Sequence, residues 1–168
     1  ALMRHPLVRR TNERRLGVPA LFVNGAVGDV SPAGRGWGGA AEIGERLARD
    51  AVAGWERITP EADARRATLA GRAALPAPSL SLRNCLGRWL PDWLRLGLGA
   101  ALPRSAELLA VAIGRSGWVT VPGELETRLG RDVKAAGSRF QHAFVAGVSN
   151  DYLGYFLGQE AYGRPSYV

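Results

Sequence analysis

The sequence predicts an α/β layered domain with a mixed β-sheet flanked by helices, on three observations. An unbroken apolar run over residues 18–24 is closed by Gly25; residues 40–55 place Ile43, Leu47, Ala51 and Trp55 at helical spacing; and two short β-prone runs, 107–113 and 118–121, are separated by Gly114-Arg115-Ser116-Gly117. A hairpin must be antiparallel, whereas strands joined through helices can run parallel, so the expected sheet is mixed. With 168 residues, 46% of them apolar, the chain can bury a core. It opens at Ala1 in helix-like sequence and stops at Val168 in mid-pattern, so an incomplete layered domain is expected.

Taken in order, residues 1–16 mix Leu2, Met3, Leu7, Val8 and Leu16 with Arg and Glu, as the end of an amphipathic helix does. Residues 18–24 form a continuous apolar run bounded by a turn, the pattern of a strand buried on both faces. A glycine-rich stretch, 34–39, leads into the helix of 40–55. Residues 66–72 alternate as a strand until Leu75-Pro76-Ala77-Pro78 breaks the pattern, and 79–83 alternate again. The apolar excursion 85–102 holds Leu86, Trp89, Leu90, Trp93, Leu94, Leu96 and Leu98, with Pro91 interrupting any single helix. It either shields a lipid chain or covers a core. Residues 124–136 are helical, 140–148 are a strand, and no segment repeats.

The net charge of +7 and a pI of about 10.7 are those of many nucleic-acid binders. Here the cations are dispersed and Lys134 is the only lysine. Arg stands where other proteins put Lys, and no nucleic-acid partner is expected. Cys85 is the only cysteine, which leaves no intrachain disulfide and no cysteine metal cluster.

Three polar stretches follow apolar runs. In Asn24-Gly25-Ala26-Val27-Gly28-Asp29-Val30-Ser31-Pro32, Ser31 and Pro32 have the form of a helix start, Ser as cap and Pro at the first helical position. No Gly-x-Ser-x-Gly elbow surrounds Ser31 and no histidine stands at a motif position, which disfavours a serine triad. In Val121-Pro122-Gly123-Glu124 the carboxylate falls where a helix dipole favours it. In Asn150-Asp151-Tyr152-Leu153-Gly154-Tyr155 the tyrosines suit packing as well as chemistry.

In this order the three stretches resemble signatures of the neutral/alkaline ceramidase family. The resemblance implies that residues 1–168 are part of a single catalytic domain of a zinc-dependent amidohydrolase. Its substrate would be the N-acyl amide bond of ceramide or a related lipid amide. Glu124 and Tyr155 match zinc ligands of the family, Ser31 its candidate nucleophile, and Tyr167, beyond Tyr162, a tyrosine that donates to the developing oxyanion. Asp29 and Asn150 fall where substrate is bound. The family's two zinc-binding histidines come from earlier in the chain. His5-Pro6 has the letters of one such pair but lies close before Ser31 in helix-like sequence, and His142 sits inside a strand-like run. Half a metal site, Glu124 and Tyr155, is therefore expected here, with weak zinc binding and little activity from these residues alone. The resemblance also implies a secreted or periplasmic location and contact with a membrane surface. The alternative is a non-catalytic α/β binding module of the same fold.

Overall fold

The computed structural model of the chain describes residues 5–60, 64–75, 79–82, 86–87, 89–91, 93–97 and 103–161. In chain order the elements are α1 (His5–Leu16), α2 (Gly36–Trp55), β1 (Arg66–Ala74), β2 (Ser79–Ser81), β3 (Arg95–Gly97), β4 (Ser105–Ile113), β5 (Ser116–Val121), β6 (Glu124–Leu125), α3 (Thr127–Ala136), β7 (His142–Gly147), β8 (Tyr155–Phe156) and a 3₁₀ turn, Gln159–Ala161.

The fold class is the one the sequence predicts. A four-stranded mixed sheet in the order β1-β4-β5-β7 has antiparallel pairs β1/β4 and β4/β5 and a parallel pair β5/β7. The β4–β5 hairpin is tighter than expected. Ile113 pairs with Ser116 across Gly114-Arg115, and Gly114 takes φ 55°, the conformation a two-residue II′ turn requires at its first central position. The connection from β5 to β7 passes through α3, and such a crossover is what lets two strands run parallel. Helices α1 and α2 pack on each other, with Thr11 Oγ1 donating to Glu45 Oε1 at 3.3 Å and Arg15 pairing with Glu45 at 3.4 Å.

Two expectations are corrected. Residues 18–24 form no buried strand: only Asn24 bridges Gly147, antiparallel, and Leu21 is 95% exposed. Pro19 brings no N–H to a ladder, and it is Asn24, at the end of the run, that meets Gly147, the last residue of β7. Residues 124–136 are not one helix. Glu124 N–H donates to Gly154 O at 2.8 Å and Glu126 N–H to Phe156 O at 2.9 Å, which draws Glu124 and Leu125 into a ladder with β8 before α3 begins.

Among the described residues the buried apolar side chains of the sheet region are Ala106, Leu125, Val145 and Ala146, and Pro122 is the largest fully buried one. Val145 and Ala146 lie in the second half of β7, and Pro122 and Leu125 follow the end of β5, so these buried groups sit beneath the loops that follow those strands. Trp118 and Phe144, register partners on β5 and β7, stack with centroids 4.3 Å apart. Such a stack contributes about 0.5–1.5 kcal/mol beyond burial.

Candidate functional site

The three polar stretches meet beyond the carboxyl ends of the parallel strands, the place where open α/β sheets form ligand crevices. Val121 and Gly147 close the β5/β7 pairing, and Asn24 bridges Gly147 from the other side. The segments then interlock through backbone bonds: Gly147 N–H to Asn24 O at 2.8 Å, Val148 N–H to Gly123 O at 3.0 Å, Ser149 N–H to Val121 O at 3.1 Å, and Leu153 N–H to Pro122 O at 2.7 Å. Val148 is held at φ 54° and Asn150 at φ 73°. For a β-branched residue that conformation costs of order 1–3 kcal/mol, and it persists only where neighbouring bonds over-determine it.

Two glycines permit this convergence. A Cβ at Gly123 would strike the carbonyl oxygen of Gly154 and come within 2.8 Å of the Phe156 ring. One at Gly28 would lie 2.7 Å from Glu124 O and 2.9 Å from the carbonyl carbon of Leu125. Gly28 N–H also donates to Leu125 O at 2.8 Å, which pins the first stretch to β6.

Glu124 and Tyr155 are register partners on the parallel pair β6/β8. Paired positions on neighbouring strands send their side chains to the same face. Glu124 therefore stands beside Tyr155, in a strand and not in a first helical turn, and the dipole reading of this carboxylate is removed. Tyr152, whose part sequence reasoning missed, donates its hydroxyl to Glu124 Oε1 at 3.0 Å. Its only sequence signal was the Tyr-x-x-Tyr spacing with Tyr155.

Ser31 is exposed and lies three residues beyond the pinned Gly28. It caps no helix, because α2 begins at Gly36 and Arg35 occupies its N-cap position. Asn150 is exposed and donates from Nδ2 to Thr120 Oγ1 at 3.2 Å, an oxygen that also accepts Leu109 N–H at 2.8 Å. Tyr162 and Tyr167 lie outside the described residues. His142 opens β7 at the end of the sheet opposite this cluster, and His5 is the first residue of α1. Glu126, also missed, accepts Gly158 N–H on Oε2 and pairs with Arg128, which pairs with Glu160 at 2.8 Å. These bonds anchor the chain after β8.

Asp29 accepts Thr127 N–H on one carboxylate oxygen at 2.7 Å and Thr127 Oγ1–H on the other at 2.8 Å. It caps α3 from 98 positions away in sequence, satisfying an N–H that the helix itself leaves without a partner. The Thr127 backbone bond, reinforced by the Thr127 hydroxyl and by Arg131, holds its carboxyl below the usual value of 3.8, against a smaller opposing effect of burial. A lowered folded-state pKa gives stability that is present above the unfolded pKa and is lost as pH falls through the folded one. Asp29→Ala is thus expected to cost about 0.5–2 kcal/mol at neutral pH, the range of a lost cap. Thermal melts of the variant should also fall less steeply than wild type as pH drops below 3.8. Parallel pH profiles would contradict this role.

Among the described residues no three His, Cys, Asp or Glu side chains gather where a metal ion could be held. Glu124 and Tyr155 by themselves fall short of a catalytic zinc set, which takes three protein ligands. A cavity of about 520 Å³ lies elsewhere, between α3 and the starting halves of β5 and β7, lined by Leu69, Ala110, Val133 and Phe140 among others.

No protein-family model matches the chain, and no curated protein matches it in sequence. Solved structures do. The neutral ceramidase from Pseudomonas aeruginosa superposes with a TM-score of 0.62 over 98% of this chain and 36% of its own, at 16% identity. A ceramidase complexed with C2 gives a TM-score of 0.65 over 98% of this chain and 38% of its own, at 17% identity. The chain spans little more than a third of the length of these structures. At such identity the likeness is one of fold, and nearly the whole chain has the fold of part of a ceramidase.

Proposed function

We propose that this chain is the portion of a zinc-dependent amidohydrolase that supplies the oxygen ligands of the metal, and that the intact site hydrolyses the N-acyl bond of ceramide or a related lipid amide. The observation that carries this reading is the register pairing of Glu124 with Tyr155, in a chain that has a ceramidase-like fold over 98% of its length. The two histidines that complete the set come from outside these residues. Zinc bound at Glu124 and Tyr155 would polarise the amide carbonyl and supply an activated water. The Tyr152 hydroxyl orients the Glu124 carboxylate, the role an outer hydrogen bond plays for a ligating group. Ser31 stands beside the reacting carbon and Tyr167 donates to the oxyanion, while Asp29 and Asn150 border the substrate. Asp29 does so with both oxygens turned to Thr127.

The test is a chimera in which the chain replaces the matching part of the neutral ceramidase from Pseudomonas aeruginosa. Zinc-dependent release of fatty acid from an N-acylsphingosine is expected. A folded chimera that binds zinc and releases none would contradict the reading and favour a non-catalytic module.

A further inference from the structure

We propose that the hairpin formed by β2 and β3 is a membrane-surface anchor that seats its tryptophans at the headgroup level of an anionic bilayer. Leu80 pairs with Leu96 at the centre of this two-stranded ribbon, and the loop beyond it carries Leu86, Trp89 and Trp93. Trp89 is 81% exposed, Trp93 78% and Leu86 68%. A segment covering a core would have these rings against the sheet. Here each of the three is largely exposed.

Indole is apolar over most of its surface and carries one N–H donor, which suits it to the boundary between acyl chains and water. Among the described residues of the loop, Leu82 N–H donates to Leu94 O at 3.2 Å, Leu90 N–H to Gly87 O at 3.1 Å and Leu94 N–H to Pro91 O at 3.1 Å. Fewer polar groups then need water when the loop enters the interface. Residues 79–97 hold Arg83, Arg88 and Arg95 against a single acid, Asp92, the charge balance that anionic headgroups attract. Among the described residues no helix is long and apolar enough to cross a membrane. A second copy of the chain is the poorer occupant, because each copy carries a net charge of +7 and repels the other.

The position is informative as well. The hairpin leaves the sheet where Ala74 pairs with Ser105, and Leu75 N–H closes its base on Arg104 O at 2.9 Å. Because β5 runs antiparallel to β4, this is also the end of the sheet at which Val121 leads into Glu124 and Tyr155. A bilayer held by the hairpin would face that end. The anchor does not depend on the zinc reading and stands if that reading fails.

Cosedimentation of the 168-residue chain with vesicles tests it. Binding is expected to vesicles of equal parts phosphatidylcholine and phosphatidylglycerol, weakened by roughly tenfold with phosphatidylcholine alone. Trp89→Ser with Trp93→Ser should lower affinity by on the order of a hundredfold, about tenfold for each ring. Trp55→Ser, exposed on α2, should leave it unchanged. Quenching of the wild-type chain's tryptophan fluorescence by brominated lipid is expected too and needs no variant. Failure to sediment with the mixed vesicles, absence of quenching, an equal loss in Trp55→Ser, or self-association through the tryptophans without vesicle binding would each overturn the proposal.

Discussion

Glu124→Gln is expected to lower turnover of an N-acylsphingosine by the chimera about 10³-fold or more, with zinc lost alongside. The amide keeps the shape and the bond from Tyr152 but not the charged oxygen donor, and a catalytic zinc deprived of its carboxylate has too few protein ligands. Tyr152→Phe removes only the orienting bond and should cost about 10–100-fold in activity or metal affinity, the scale of an outer-shell loss. Ser31→Ala should lower turnover while changing stability by less than about 0.5 kcal/mol, since Ser31 caps no helix. Steady-state kinetics with parallel denaturant melts separates the three. Full activity in Glu124→Gln would remove Glu124 from the site.

The second large effect is on stability. Gly123→Ala is expected to destabilise the chain by about 3 kcal/mol, at the upper end of the overpacking range, because the added methyl meets a backbone carbonyl that cannot turn aside. That carbonyl, Gly154 O, is also the acceptor for Glu124 N–H, so relief of the clash would break the β6/β8 ladder. Gly71→Ala is the control. On β1 a Cβ meets nothing within 4 Å, and alanine is favoured over glycine inside a strand, so this change should be neutral or stabilising. Equal urea midpoints for the two variants would mean that the three stretches do not interlock as described.

The sheet was legible wherever a β-prone run found a strand partner over most of its length. The two short β-prone runs of β4 and β5, separated by Gly114-Arg115-Ser116-Gly117, forecast the hairpin, and the apolar run before Ser149 forecast β7. The run 18–24 misled because composition reports burial potential and not the presence of a neighbour. With one bridge to Gly147 and a proline lacking a donor, an apolar segment stays outside the sheet. Glu124 misled in a similar way. Its local sequence reads as a helix start, and only the ladder to Tyr155, 31 positions later, makes it a strand residue. The capping of α3 by Asp29 spans 98 positions and left no local signal. Candidate site residues were thus readable as chemistry-bearing types in turns, whereas the bonds that fix them, from Tyr152 to Glu124 and from Thr127 to Asp29, are long-range and belong to the fold.

Zinc affinity of the 168-residue chain, measured by calorimetry for wild type, Glu124→Gln, Tyr155→Phe and the double variant, tests the shared half-site most directly. The pairing on β6/β8 predicts weak binding that each single change lowers by about tenfold or more, and a double variant no weaker than the poorer single, because two ligands of one ion are not independent. Affinity unmoved by either change, or losses that simply add, would contradict a shared metal at Glu124 and Tyr155.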